Sequence, residues 1–439
     1  MSELLISFAL LLSMIVLISF LNEKFFKMPK DIALVLFSFV VATILKICFT
    51  FDVFNFENEI MPFINEFRFD EFLMEGILCF MLFAGASKIH FSHFVVNIKA
   101  ISLLALLSTV LTSAIYGILF YLVNIVFGLG FDIWLCILLG CIVSPTDPIA
   151  ATSILNKVGL SKNVTSVIEG ESLFNDGTGV ALFVCIKNIV SDTSDESFFV
   201  IISKEILGAV AVALVISFLL FQLLKRTNDP TKHIFISLLA VSLIYVICEE
   251  LGFSGVIASV CCGMYFSHEI DKNERWRAVI DTKDYYKVFW DLIDVFLNSI
   301  LFVLIGFSVL YISGHEYIIW LGFFAIVINL ISRYTGVLCS SLLVGKRKMP
   351  NRYSTNEFVT LMTWSGLKGG LSLALALSTK QFLAGQYEVY NIILLMTWVT
   401  MIFTTVFQGL STAKVFKLVE KKKTKRMSSK LTKTSDPLF

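Results

Sequence analysis

Charged residues are scarce in this chain of 439 residues, making up 16% of it where soluble domains carry about 25%. Hydrophobic residues make up 57% of the chain, and proline occurs only seven times. These values exclude an ordinary soluble enzyme and a proline-rich disordered chain. Lys and Arg number 35 against 34 Asp and Glu, so there is no excess of positive charge to bind nucleic acid. The composition indicates a polytopic membrane protein.

Motifs for metal or covalent chemistry are also missing. The nine cysteines lie mostly in apolar runs, with no CxxC pair, no Cys/His cluster at zinc spacing and no HExxH motif. The paired aspartates or Ser/His set of an intramembrane protease do not occur either. Ser2 and Glu3 stand where a signal peptide would carry positive charge, so the first apolar run is expected to remain as a span. We therefore expect neither an enzyme nor a bound cofactor.

Thirteen apolar segments are long enough to cross a bilayer, which takes about 20 residues. They are numbered here in chain order as spans 1 to 13. Their predicted limits are 2–20, 31–49, 70–87, 100–127, 132–153, 164–188, 198–224, 233–249, 253–268, 288–312, 317–344, 355–379 and 387–413. The predicted fold class is an all-α bundle of about 13 transmembrane helices, residues 1–413, followed by a short basic tail, residues 414–439.

Lys and Arg residues predict the orientation of the bundle. Twenty-eight of the 35 lie in the tail and in alternate loops on one side, and only Arg68 and Lys380 lie in the opposite loops. Positive charge concentrates on the cytoplasmic side. The N-terminus is therefore predicted outside and the C-terminus in the cytoplasm, as an odd number of spans requires. The tail is either a simple positive-inside anchor or a contact with anionic lipid.

Span 5 contains a helix break. Pro145 removes a backbone donor, and Asp147 before Pro148 has the pattern of an N-cap followed by a first-turn proline. With Thr146, this predicts an unwound crossing, the alternative being a simple proline kink. Broken backbone at membrane depth is tolerated where it lines a cavity or is buried in protein, and it is typical of transporter binding sites.

Span 6 carries polar groups in an otherwise apolar helix. At about 100° per residue, Glu171, Ser172, Asn175 and Asp176 lie within about 140° of one another, on one face. Carboxylate, hydroxyl and amide oxygens are ligands for a hard monovalent cation, and a carboxylate also accepts a proton. A turn at Asn-Asp-Gly is the alternative, but the apolar run continues on both sides.

Span 12 contains three glycines in five residues, with Lys368 among them. The glycines weaken the helix, and a cation there could neutralise the C-terminal end of a half-helix or facing carboxylates. The alternative is a small-residue packing face with Lys368 reaching the interface. Arg333 in span 11 is also deep and needs a buried partner, which the sequence does not identify.

The two interrupted spans, 5 and 12, are seven apart. Spans 1–6 would then repeat as spans 8–13, and the odd offset inverts the second copy in the membrane. Inverted repeats with paired broken helices are the architecture of secondary transporters.

Four stretches resemble the NhaP/NHE-type sodium/proton antiporters of the monovalent cation:proton antiporter-1 family. They are SPTDPIAA from Ser144, EGESLFNDGTGV from Glu169, FWDLIDVFLNSILFVLIGF from Phe289 and WSGLKGGLSLALAL from Trp364. They span most of the bundle in the family order, and together they are highly specific.

The resemblance implies a NhaA/NapA-like fold with two crossed broken helices. It implies a core domain of spans 4–6 and 11–13, with the other spans forming a dimer domain and hence a homodimer. Asp176 would bind cation and proton alternately, Asn175 would fix the site, and Glu171, Ser172 and the Thr146 backbone would help to hold the ion. Asp147 is assigned to capping the second half-helix of span 5 and to orienting the site.

Two positions differ from the usual family pattern. Lys368 stands where arginine is usual, and a buried lysine can lose its proton whereas arginine cannot. Ala84 stands where many members carry a glutamate, the usual acidic partner for the arginine at position 333.

The expected function is therefore exchange of Na⁺ or Li⁺ for H⁺, electroneutral and one for one, for pH and sodium homeostasis. The expected partners are these ions and the bilayer, and the expected location is the plasma (inner) membrane. A K⁺/H⁺ antiporter of the same fold is the alternative, because oxygen ligands alone do not separate Na⁺ from K⁺. A channel would carry current, which a one-for-one exchanger does not.

Overall fold

The computed structural model describes residues 2–50, 76–89, 91–147, 158–191, 198–272, 285–312, 317–345, 350, 353–383 and 385–434. Within these ranges every named element is helical, and the only β-type pairing is an isolated bridge between Asp147 and Leu367. The all-α class is therefore confirmed.

Helices of the first half overlap predicted spans 1 to 7, and parts of spans 3 and 5 lie outside the described residues. We label them α1 to α7: Ser2–Leu21, Lys30–Thr50, Leu78–Ser87, Phe91–Phe127, Ile133–Val143, Lys162–Val190 and Phe198–Leu224. Helix α4 begins nine residues before the predicted start of span 4 and contains a π-helical stretch, Leu103–Ser108.

Helices of the second half coincide with spans 8 to 13. Span 12 is divided into two helices, so the labels α8 to α14 cover Pro230–Glu250, Gly255–Lys272, Tyr285–Phe307, Ile318–Val344, Thr355–Ser365, Gly370–Ser378 and, with a π-helical stretch inside it, the helix from Tyr387 to Thr434. Helix α8 begins where Asp229 accepts the backbone N–H of Thr231 and Pro230 takes the first helical position.

Apolar side chains cover much of the outer surface. Val126, Ile319 and Phe20 are 78%, 82% and 63% exposed, and many other large apolar residues share this outward position. Nine helices in the described ranges are long and apolar enough to cross a membrane, and Leu78–Ser87 and Ile133–Val143 are shorter apolar helices. Exposure of such apolar faces to water is unfavourable, whereas contact with lipid tails is not. The chain is therefore a multi-pass membrane protein.

The two predicted breaks meet inside the bundle. Helix α5 ends at Val143, and α12 and α13 are separated by residues 366–369. The backbone N–H of Asp147 donates to Leu367 O at 2.8 Å. The breaks of spans 5 and 12 therefore cross, as predicted. The second half of span 5, with the predicted N-cap role of Asp147 toward Pro148, lies outside the described residues.

Two glycines permit this close crossing. A Cβ added at Gly369 would lie 2.7 Å from Asp147 Cβ, and one added at Gly366 would lie 2.8 Å from Arg333 Nε. Any side chain at either position would push the breaks or Arg333 apart. The glycines of span 12 therefore bring backbone and charged groups together, beyond weakening the helix.

The predicted basic tail continues span 13 as one helix. Helix α14 runs to Thr434 without interruption at residue 413. It packs along α12, where the Arg426 guanidinium contacts both Glu357 oxygens at 3.1 and 2.9 Å and Tyr353 donates to Glu420. The start of the second broken span is thus tied to the basic helix.

Candidate ion-binding site

The polar face of span 6 lies at the centre of the bundle. Glu171, Ser172 and Asn175 on α6 are buried with 1%, 2% and 0% exposure, and Asp176 is partly exposed. The region is helical from Lys162 to Val190, so the alternative of a turn at Asn-Asp-Gly is wrong. The helical wheel therefore placed these side chains correctly.

Asn175 connects span 6 to the break in span 5. Its Oδ1 accepts the backbone N–H of Thr146 at 3.2 Å, and its Nδ2 donates to Thr146 Oγ1 at 2.7 Å. The same Nδ2 donates to Glu171 Oε1 at 2.9 Å. An amide that both donates and accepts suits this position, because the broken backbone presents one donor and the Glu171 carboxylate only acceptors.

Ser172 and Thr146 also bond to each other. The Ser172 hydroxyl donates to the Thr146 carbonyl oxygen, and the two hydroxyl oxygens lie 3.2 Å apart. Both backbone groups of Thr146 are thereby satisfied by span 6. Unwound backbone is costly in a membrane unless its polar groups are paired, and these bonds supply that pairing.

Glu171 is the partner of Arg333. The guanidinium donates to Glu171 Oε1 at 2.8 Å and to Oε2 at 3.1 Å, and also to the Met362 carbonyl at 3.2 Å. Arg333 and Glu171 are 2% and 1% exposed. This bidentate geometry is the strong form of an Arg–carboxylate pair. It replaces the partner expected at the position of Ala84, which is itself buried. Glu75, an acidic residue earlier in span 3 and a poor substitute for that partner, lies outside the described residues.

Lys368 lies in the break of span 12 and is 1% exposed. Its ammonium donates to Ser144 O at 3.1 Å, just after the last residue of α5. The last carbonyls of a helix lack intrahelical partners and carry partial negative charge. Lys368 therefore satisfies the C-terminal end of the first half-helix of span 5, one of the two roles predicted for it, and does not reach the interface.

Two substitutions of Lys368 test whether its ammonium stabilises the protein as a hydrogen-bond donor to the Ser144 carbonyl. Lys368→Met should lower the free energy of unfolding by about 1–3 kcal/mol, because the Ser144 carbonyl loses its buried donor. Lys368→Arg keeps a donor there and should lose less. Thermal unfolding in detergent measures both variants. Equal stability of Lys368→Met and the unmodified protein would contradict this role.

Span 13 supplies polar groups that the sequence analysis did not identify. Gln408 Nε2 donates to the carbonyls of Thr363 and Trp364, each at 3.0 Å, at the end of α12. Thr404 accepts the Lys368 N–H and Thr405 donates to the Lys368 carbonyl, each at 3.2 Å. Three polar residues within five positions of an apolar span are a signal that could have indicated this support.

Asp176 borders a narrow cavity beside the crossing. The cavity is lined by residues of α3, the breaks of spans 5 and 12, α6, α10 and α13, among them Asp147, Asp176, Gly369 and Ser372. Within the described residues no side chain or backbone group hydrogen-bonds the Asp176 carboxylate. Its oxygens are thus open to a ligand, whereas Glu171, Ser172, Asn175 and Thr146 engage one another or Arg333.

The structure thus brings all eight predicted site residues to one region. Asp176 and Asp147 line the cavity, Glu171, Ser172, Asn175 and Thr146 form the network behind it, and Arg333 and Lys368 supply the two cations. Carboxylate and hydroxyl oxygens at such a cavity suit a hard monovalent cation.

The chain is similar in sequence to known transmembrane proteins along most of its length. The family model described as "Sodium/hydrogen exchanger, transmembrane" matches residues 9–418. The chain is 29% identical over 407 residues to the Na⁺/H⁺ antiporter NhaP of Pseudomonas aeruginosa, covering 92% of this chain and 94% of that protein. It is 30% identical over 361 residues to the low-affinity Na⁺/H⁺ antiporter NhaS1 of Synechocystis, covering 79% of this chain and 64% of that protein.

Among solved structures, the sodium proton antiporter MjNhaP1 of Methanocaldococcus jannaschii superposes with a TM-score of 0.73 at 20% identity, covering 94% of this chain and 98% of that one. This likeness shows the shared fold and confirms the crossed-helix architecture. With the match of the family model over nearly the whole chain, it follows that the protein belongs to the sodium/hydrogen exchanger family of transmembrane proteins.

Proposed function

We propose that this protein exchanges Na⁺ or Li⁺ for H⁺ across the membrane, with Asp176 as the group that binds either one. The observation that carries the proposal is the contrast at the site. Asp176 faces the cavity with no hydrogen-bond partner among the described residues, while the neighbouring polar groups are engaged. A carboxylate in a partly dehydrated cavity favours neutralisation, and a cation and a proton compete to provide it.

The charges of the site support one-for-one exchange. Asp147, Glu171 and Asp176 contribute three negative charges, and Arg333 and Lys368 contribute two positive charges. One Na⁺ or one H⁺ at Asp176 makes the group neutral as a whole. A neutral group crosses hydrocarbon at far lower cost than a charged one, so the site moves when loaded with either ion and stays when empty.

Two kinds of role are proposed for the residues around Asp176. Ser172 and Thr146 supply oxygens next to the bound ion, and Asn175 holds the break of span 5 in register with α6. Glu171 coordinates Na⁺ only in a conformation in which its pair with Arg333 opens; otherwise it positions Arg333 and Asn175. Asp147 borders the cavity and orients the crossing.

The larger arrangement is proposed from the family resemblance and the charge pattern. Spans 4–6 and 11–13 form a mobile core domain, and the remaining spans form a dimer domain that joins two copies. The N-terminus lies outside and the C-terminus in the cytoplasm of a plasma (inner) membrane. A proton gradient then drives Na⁺ out of the cell, which sets cytoplasmic pH and sodium.

Proteoliposomes containing the purified protein and a pH-sensitive dye test the function. Na⁺, Li⁺ and K⁺ are added in turn, with the membrane voltage either clamped or free, and empty liposomes serve as the control. We expect Na⁺ and Li⁺ to move protons at rates that do not depend on voltage. A response to K⁺ alone would establish the K⁺/H⁺ alternative, and no response to any of the three would refute the proposal.

A further inference from the structure

Two of the helices that line the cavity carry polar residues beyond one end of it. On α3 the cavity is lined by Leu78, Met81 and Gly85, which follow one helical face. Lys88 comes three residues after Gly85 and continues this face past the end of the helix. In the predicted orientation this end is cytoplasmic.

Helix α10 has a matching polar stretch. It lines the cavity with Leu301, and Asn298 and Asp294 precede Leu301 by three and seven residues, within about 60° of it on the helix. Asp294 and Asn298 are 7% and 2% exposed. Both helices thus lead from the cavity to the same polar group, which lies within the FWDLIDVFLNSILFVLIGF stretch.

Lys88 and the carboxylates of α10 are in direct contact. The Lys88 ammonium lies 2.6 Å from Asp294 Oδ2 and 3.0 Å from Asp291 Oδ1. Asn298 Nδ2 donates to Asp294 Oδ1 at 2.7 Å. Among the described residues, the buried Asn298 Oδ1 accepts no hydrogen bond. The ammonium therefore lies among acidic oxygens close to a free amide oxygen.

The charge around Lys88 remains negative. Asp31 at the start of α2 also interacts electrostatically with Asp294, and Lys30 lies beside Asp31. Two carboxylates, Asp294 and Asp291, thus contact the one ammonium group of Lys88, and Asp31 adds a further carboxylate near Asp294. Burial lowers the pKa of Lys88, but Asp294 and Asp291 raise it by more, so its pKa lies above the usual value and the side chain stays charged at neutral pH.

We propose that Lys88 acts as a tethered competitor for the entering cation at this end of the cavity. Its ammonium occupies the carboxylates of Asp294 and Asp291 that a Na⁺ or Li⁺ ion approaching the cavity would otherwise contact. Lys88 thereby raises the apparent KM for cations entering from this side. The inference rests on the proposed cation/proton exchange.

Everted and right-side-out vesicles separate the two faces of the protein. Lys88→Met removes the competitor, and we expect the apparent KM for Na⁺ to fall by about threefold to tenfold in everted vesicles, as removal of one nearby positive charge implies. In right-side-out vesicles the KM should stay unchanged. Lys88→Arg keeps the charge and should keep the KM of the unmodified protein.

Lys225→Met is the matched control. Lys225 pairs with Glu269 at 2.9 Å and is comparably exposed. Lys225 follows α7 and Glu269 lies on α9, and neither of these helices lines the cavity. The substitution should leave the KM unchanged. Asp291→Asn is a second variant that leaves no buried charge unpaired, because Asp291 is 46% exposed. It should raise the KM in everted vesicles only.

The outcomes are distinct from failure of the proposed function, which would show as no Na⁺-driven proton movement by the unmodified protein. If that protein transports, an unchanged or raised KM in Lys88→Met overturns the proposal. A fall of equal size in both vesicle types, or in Lys225→Met, overturns it as well. If Lys88→Met does not accumulate, an unchanged KM in Asp291→Asn overturns it instead.

Discussion

Asp176→Asn is expected to reduce cation-driven proton movement to the level of empty liposomes while leaving the fold intact. Asparagine has nearly the same shape but binds neither a proton nor a cation by charge. Because Asp176 has no hydrogen-bond partner among the described residues, the substitution breaks no hydrogen bond in that part of the chain. The same proteoliposome assay measures the loss, and thermal unfolding measures the stability.

Asp271→Asn is the control for this substitution. Asp271 is an exposed carboxylate near the end of α9, so its loss should leave the transport rate unchanged. Retained exchange in Asp176→Asn would show that another group carries the proton. Loss of exchange together with a large loss of stability would show that Asp176 is a structural residue.

Arg333→Met should cause the largest loss of stability among the substitutions considered. It leaves the Glu171 carboxylate buried without its guanidinium, and breaking a buried pair in this way costs about 3–5 kcal/mol. Glu171→Gln should likewise destabilise by leaving the arginine unpaired. The double variant Glu171→Gln/Arg333→Met removes both charges, so its loss should be smaller than the sum of the two single losses.

The same three variants at a second ion pair, two single and one double, are made at Lys225 and Glu269. They show how much a more exposed pair contributes to stability. That pair is 28% and 16% exposed, and pairs closer to solvent contribute about 0–1 kcal/mol. A double-mutant cycle by thermal unfolding in detergent gives both coupling energies. If the losses at Glu171 and Arg333 simply added, the two residues would not act as a pair.

Much of the fold follows from patterns within short stretches of sequence. Hydrophobic length located the spans because a bilayer imposes one length on every crossing helix. Pro145 and the glycines around Lys368 marked the two breaks because each changes the backbone locally. The polar face of span 6 followed from helical geometry alone. Each of these inferences needed only neighbouring residues.

Contacts between distant residues could not be obtained in this way. Arg333 and Glu171 are 162 positions apart, and Lys88 and Asp294 are 206 apart. Charge type alone leaves several possible partners for each cation. The family pattern pointed to position 84 for Arg333, where this chain has alanine, and only the packing of α6 against the break identifies Glu171.

The basic tail illustrates a boundary taken from composition. Lys and Glu are good helix formers, so a change from apolar to charged residues near residue 413 does not end a helix. Arg426 and Glu420 then hold the extension against Glu357 and Tyr353 on span 12. The change in composition near residue 413 therefore marks the end of the apolar segment but not the end of the helix, which continues to Thr434.

The central claim is that one carboxylate carries one cation or one proton, and the point of zero flux tests it most directly. Proteoliposomes are given Na⁺ and H⁺ gradients in the same direction, with the ratio of inside to outside concentration varied for each ion, at several clamped voltages, and net proton movement is recorded. The account predicts zero flux when the two concentration ratios are equal, at every voltage. A point of zero flux that shifts with voltage would contradict it.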